Sequence, residues 1–163
     1  MRILGIDPGS TRIGYGLIES GANLKALDFG LIEIKAHSIS EKLLSLANQF
    51  ATLLEKTKPD LASVEKIYFT KNQKTIIEVA QARGVILFLI LKNNISLLEY
   101  TPREVKQAVT SYGLADKVAV AKMVCRILNL KEIPKNDDIT DALAIAITAA
   151  SHYKMELLTG KII

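Results

Sequence analysis

"RILGIDPGST", residues 2–11, runs four apolar or small residues, Ile3 to Ile6, straight into a carboxylate and then a Pro-Gly turn. A run of that kind marks a strand buried on both faces, where a carboxylate without a partner is costly or stays protonated. Asp7 is therefore expected where the strand emerges at the edge of a sheet, which is where α/β proteins keep their chemistry. "LASVE", residues 61–65, repeats the pattern and places a second carboxylate, Glu65, at a strand end.

Working outward from this strand, the first 36 residues read as an antiparallel meander: "RILGID", "IGYGLIES" and "LKALDFGLIEIK", separated by turns such as "GAN". Ser38 and Glu41 have capping-box spacing, and Leu43, Leu46, Ala47, Phe50 and Leu54 follow at helical intervals up to "KTKPD". After "LASVE" and a basic, aromatic loop, "KIYFTKNQK", a helix is predicted from about Gln73 to Leu91. Its last third is apolar all round, so one face is expected on the sheet and another against a second subunit.

"ISLLEY" reads as the last strand. Thr101 and Pro102 open a helix that stops at Gly113, a further amphipathic segment runs from Asp116 to Leu130, and a final helix begins near Asp138. The order β-β-β-α-β-α-β-α-α-α predicts one α/β domain over residues 1–163. Its five-stranded mixed sheet has three antiparallel strands plus parallel strands added through helical crossovers, with helices on both faces.

Composition narrows the class of function. The longest apolar run, Val85 to Leu91, is far short of the ~20 residues that span a bilayer. The N-terminus lacks the layout of a signal peptide. A soluble, cytoplasmic protein without a membrane partner is expected. The lone Cys125 lies in the apolar-periodic "AVAKMVCRIL" and reads as a small buried hydrophobe. His37 and His152 fall outside every motif and read as ordinary surface or core residues.

The net charge of +4 is unevenly spread: residues 66–135 carry 12 basic and 5 acidic side chains, while the flanking segments are slightly acidic. A basic band beside acidic clusters suits a protein that handles phosphodiesters, with lysines on the backbone and carboxylates on metal ions. On charge alone, a solvated lysine-rich surface is the favoured reading.

"NDDITDALAIAI" sets Asp138 and Asp141 three residues apart, on one face at the start of a helix. A structural explanation exists, with Asp138 as N-cap and Asp141 as its capping-box partner beside the positive end of the helix dipole. If Asp7, Glu65, Asp138 and Asp141 converge at one sheet edge, however, they form an all-oxygen site suited to Mg²⁺ or Mn²⁺ rather than zinc. Two such ions about 4 Å apart activate a water and stabilise the leaving oxygen in phosphodiester cleavage.

These residues carry a resemblance. "LGIDPGSTRIGYGLIE", "SVEKIYFTKNQ", "AQARGV", "PREVKQAV", "GLADKVAV" and "DDITDALAIAI" together resemble the RuvC-type Holliday junction resolvases, over almost the whole chain and in the right order. The resemblance implies a ribonuclease H-like fold and a homodimer that cuts four-way DNA junctions symmetrically with divalent metal, beside a branch-migration motor. It implies Mg²⁺ as cofactor, with Mn²⁺ able to substitute and two ions per subunit. It further implies Asp7, Glu65, Asp138 and Asp141 as catalytic metal ligands, with Asp137 a neighbour. It implies DNA contacts for Lys106 and Lys117, and a Tyr68 that stacks beside unpaired bases. The pattern departs from the family in "IIEVAQARG", which lacks a Leu-Gly pair, and in the apolar residues of "ADKVAVAKMV".

Rival readings differ at identifiable points. "GIDPGST" also resembles the phosphate loop of actin-like sugar kinases, which need two such domains facing one cleft. Short nuclease-like relatives share the "GIDPG" start but lack the Lys106 and Lys117 region. A catalytically silent junction-binding module predicts a broken carboxylate set, and all four are present.

Overall fold

The computed structural model describes residues 1–67 and 73–159, with the side chains of 73–75 and 154–159 set aside. The elements follow the expected order: β1 (Arg2–Asp7), β2 (Arg12–Ser20), β3 (Leu24–Glu33), α1 (Ile39–Thr57), β4 (Leu61–Glu65), α2 (Gln73–Lys92), β5 (Ser96–Tyr100), α3 (Pro102–Thr110), α4 (Lys117–Ile127) and α5 (Asp137–Thr159). Among the described residues, no helix is long and apolar enough to cross a membrane.

The five strands form one mixed sheet in the order β3-β2-β1-β4-β5. β1, β2 and β3 pair antiparallel, while β4 joins β1, and β5 joins β4, in parallel. Alternation along the strands divides the apolar residues into two cores. Leu4, Ile6, Ile13, Leu17, Ala62 and Val64 face α1 and α2. Ile3, Ile18, Leu61 and Tyr100 face α3, α4 and α5. Asp7 and Glu65 share the parity of Ile3 and Leu61, so both carboxylates belong to the α5 side.

Caps mark the ends of α1, α3 and α4. Ser38 and Glu41 form the expected reciprocal capping box on α1, and Thr101 and Glu104 form a second on α3. α3 stops at Thr110, three residues earlier than the glycine stop at Gly113, because Ser111 turns into the left-handed region at φ 61. α4 is shorter than the predicted segment: Asp116 lies outside it as the N-cap, accepting the Ala119 N–H at 2.7 Å. Cys125 is half-buried rather than buried, and its thiol donates to the Leu130 carbonyl at 3.3 Å. His152 packs edge-on against Tyr100, with ring centroids 4.8 Å apart.

Two glycines let α5 lie directly on the sheet. A Cβ on Gly5 would sit 2.1 Å from the Ala142 carbonyl oxygen, and one on Gly14 would sit 1.9 Å from that of Asp138. Gly14 is the cross-strand partner of Asp7. The missing side chain on β2 is thus what brings the first turn of α5 down beside the end of β1.

Candidate active site

The site is assembled from three strand or helix ends. Asp7 is the last residue of β1, and Glu65 ends β4, one position past Val64, which pairs with Ile6. The two carboxylates therefore lie side by side on the α5 face, at the C-terminal edge of parallel strands. α5 begins at Asp137, and its first turns bring Asp138 and Asp141 over the same edge.

The capping explanation for Asp138 and Asp141 does not hold. Asn136 Oδ1 accepts the Asp138 N–H at 2.9 Å, so the helix start is satisfied by the residue before it. Asp138 is left free for other partners. Its carboxylate faces Arg12 Nε at 3.5 Å, an ion pair contributed by the opening residue of β2.

Electrostatics shows that the four groups share one region. Burial, then Glu65, Asp141 and Asp138 in turn, push Asp7 up to about 8, against a smaller opposing pull from Lys117. Burial and then Asp141 push Glu65 up to about 7, while Lys117 and Lys106 act to lower it. Asp141 is also raised, chiefly by burial, with Lys117 the main influence holding it down. Acids raised together by desolvation and by each other form a site short of positive charge.

The nearby cations are protein side chains. Lys117 Nζ lies 3.6 Å from Asp137 and 3.7 Å from Asp141, and Asp141 is the chief cause of its raised pKa. Glu65, Lys106, Lys117 and Asp141 line one cavity of about 290 Å³, together with Pro102, Val105 and Val120. Lys117 opens α4 as expected. Lys106 lies within α3, half-buried and one turn past the Thr101 cap.

Among the described residues, no three acidic, histidine or cysteine side chains yet meet at ligand distance. Two of the four carboxylates are ion-paired within the chain, Asp138 with Arg12 and Asp141 with Lys117, which also reaches Asp137. The donor chemistry nonetheless fits a hard divalent cation. All four groups are carboxylates, and Asp7 and Glu65 are half-buried beside other acids, so their ionised forms call for added positive charge. Tyr68 lies outside the described residues.

Three partners of this site were not anticipated in the sequence: Arg12, Asn136 and Arg83. Arg83 belongs to "AQARGV"; its Nε donates to the Glu65 carbonyl at 3.2 Å, and its guanidinium pairs with Glu99 on β5. It ties α2 to the ends of β4 and β5 and so holds the Glu65 backbone. Asn136 had a readable signal, an amide residue immediately before an acidic helix start. Arg12 had none, because its partner is set by how α5 lies across β2.

Comparison with known proteins agrees with this geometry. The profile of a family described as crossover junction endodeoxyribonuclease RuvC matches residues 3–149. A relative of that name from Caldicellulosiruptor saccharolyticus is 47% identical over 150 residues, 90% of each chain. Another, from Ruminiclostridium cellulolyticum, is 43% identical over 98% of each. Among solved structures, Thermus thermophilus RuvC in complex with Holliday junction substrate superposes with a TM-score of 0.89 at 32% identity, covering 95% of this chain and 96% of that one. The fold is thus the ribonuclease H-like one, and the chain belongs to the crossover junction endodeoxyribonuclease RuvC family.

Proposed function

We propose that this chain is a structure-selective endonuclease that resolves four-way DNA junctions by symmetric, metal-dependent phosphodiester hydrolysis during recombination and DNA repair. The observation that carries the reading is geometric: Asp7 and Glu65 end neighbouring parallel strands beneath the first turns of α5, and Glu65 and Asp141 line one cavity with Lys106 and Lys117. Membership of a family whose solved member is titled as bound to a Holliday junction supports the substrate class.

The four carboxylates are the residues that would hold Mg²⁺, two ions per subunit, with Mn²⁺ able to substitute. When bound, the metal supplies an activated water and charge neutralisation for a hydrolysis that leaves a 5′-phosphate and a 3′-hydroxyl. Lys106 and Lys117 take the backbone phosphates as point charges and align the strand over the carboxylates. Tyr68 stacks beside an unpaired base near the crossover. Arg83 and Asn136 act indirectly, holding the Glu65 backbone and the start of α5.

A homodimer is part of the proposal. Ile77, Phe88 and Leu91 are all exposed along α2, an apolar row left uncovered among the described residues. A two-fold dimer matches a substrate with two equivalent strands, so that each subunit cuts one. We place its work in the bacterial cytoplasm as a single nuclease domain over residues 1–163, beside a branch-migration motor.

The test is a cleavage assay on a four-way junction, a plain duplex and an RNA–DNA hybrid, each with and without Mg²⁺. Cutting of the junction alone, only with metal, is expected. Asp7→Asn and Asp141→Asn should abolish cutting while junction binding survives, because removing negative charge does not weaken attraction to phosphate. Wild-type cleavage by either variant overturns the catalytic assignment, and nucleotide hydrolysis in the same tube favours the kinase-like reading.

A further inference from the structure

The segment "SYGLADKV", residues 111–118, joins α3 to α4 and exposes large apolar side chains from a braced backbone. Gln107 reaches into the turn twice, donating from Nε2 to the Ser111 carbonyl and accepting the Gly113 N–H at Oε1, each at 3.0 Å. The Tyr112 N–H donates to Thr110 Oγ1 at 3.1 Å, and the Ala115 N–H to the Tyr112 carbonyl at 3.0 Å. Ala115 is buried, Asp116 caps α4, and the Arg103 side chain runs alongside Gly113.

From this rigid frame Tyr112, Leu114 and Val118 project into solvent, 60%, 71% and 60% exposed. Single exposed apolar residues are ordinary, but three grouped on one braced turn mark a contact surface. The surroundings identify the occupant. The two helices that the turn joins carry five cations, Arg103, Lys106, Lys117, Lys122 and Arg126, against one acid, Glu104, whose carboxylate accepts the Thr101 N–H at the α3 cap; Asp116, the acid within the turn, is engaged by the α4 N-terminus. A second copy of this chain would bring like charge against like, whereas a nucleic acid brings phosphates for the bases of this rim and flat base surfaces for its apolar tip. The turn also leads directly into the site, since Lys117, three residues past Leu114, lies 3.7 Å from Asp141.

We infer that the α3–α4 turn is a base-contacting wedge, in which Tyr112 stacks on, and Leu114 lies beside, a nucleotide unpaired at the branch point next to the cut strand. This rests on the nuclease reading above. The wedge adds to the lysines a contact that recognises unpaired bases rather than phosphate, and so favours branched over continuous duplex.

The test uses the full-length protein and a four-way junction carrying 2-aminopurine at the crossover. Wild type should change the probe's emission on binding. Tyr112→Ala combined with Leu114→Ala should lose most of that change and slow junction cutting by roughly tenfold, as expected for loss of one stacked base. Tyr112→Phe should behave as wild type. The salt dependence of binding should be the same in all three, because no phosphate contact is removed.

A double variant that matches wild type in emission and rate overturns the wedge while leaving the nuclease reading intact. A double variant that changes oligomeric state in sedimentation also overturns it, by showing the face to be a protein contact. If wild type neither binds nor cuts the junction, the nuclease reading itself fails. Melting curves of the variants separate loss of the wedge from loss of the fold.

Discussion

Asp7 bears an electrostatic cost that the fold imposes on it. Burial and three neighbouring carboxylates raise its pKa to about 8, far above the ordinary aspartate value near 4. Between those two values the folded chain binds more protons at this position than the unfolded one, so this group's contribution to stability falls as pH rises through the window. In chelator, Asp7→Asn should therefore melt higher than wild type at pH 8, and the gap should close towards pH 4. A gap that instead grows as pH falls would contradict the assignment of Asp7 to the centre of the acidic cluster. Adding Mg²⁺ should raise the wild-type melting temperature at pH 8 and leave Asp7→Asn nearly unmoved, because a ligand stabilises only the state that binds it. Arg12 and Lys117 reduce the same repulsion from within the chain, through Asp138 and Asp141.

Among the elements, α5 decides the site, and the sheet decides where α5 lies. Its alanine-rich inner face, including Ala142 and Ala146, meets Gly5 with no side chain between them. Replacing Gly14 with alanine would drive a Cβ into the Asp138 carbonyl and push away the turn that carries Asp138 and Asp141. Overpacking of this kind costs about 1–3 kcal/mol, so Gly14→Ala should lower the urea midpoint and reduce cutting further than the stability loss explains. Gly21→Ala is the control. Nothing lies within 4 Å of its Cβ, so its unfolding curve should stay within about 0.5 kcal/mol of wild type. The Asn136 amide completes the arrangement by accepting the Asp138 N–H at the helix start, so the Asp138 carboxylate is not used as a cap and pairs with Arg12.

For the whole molecule, the outward row of Ile77, Phe88 and Leu91 on α2 is an apolar face left exposed among the described residues. A charge placed there should oppose association while leaving the site untouched, since the carboxylates lie on the other face of the sheet. Phe88→Asp should sediment as a monomer at micromolar concentration with an unchanged far-UV spectrum. Paired cutting of opposite strands should fall more steeply than nicking of one. A Phe88→Asp protein that remains dimeric would remove this row from the interface.

Much of this was legible along the chain because it depends on neighbours a few residues apart. Strand alternation, the Ser38–Glu41 capping box, the threonine and proline at the start of α3 and the carboxylates that end β1 and β4 are local patterns, and the element order followed from them. Ends governed by a single residue's conformation were less legible. Ser111 stops α3 in a left-handed turn that its side chain does not announce, and Asp116 proved to be a cap rather than a helical residue. The amino-acid order by itself determined which residues are available for chemistry, an all-carboxylate set beside a basic band. Only the tertiary structure decided that they gather at one sheet edge. That depends on the register setting Asp7 opposite Gly14, and on a bare glycine surface that lets a helix backbone come close enough to bring Asp138 and Asp141 to the same edge. Register and close approach are properties of packed surfaces distant in the chain, and no local pattern encodes them.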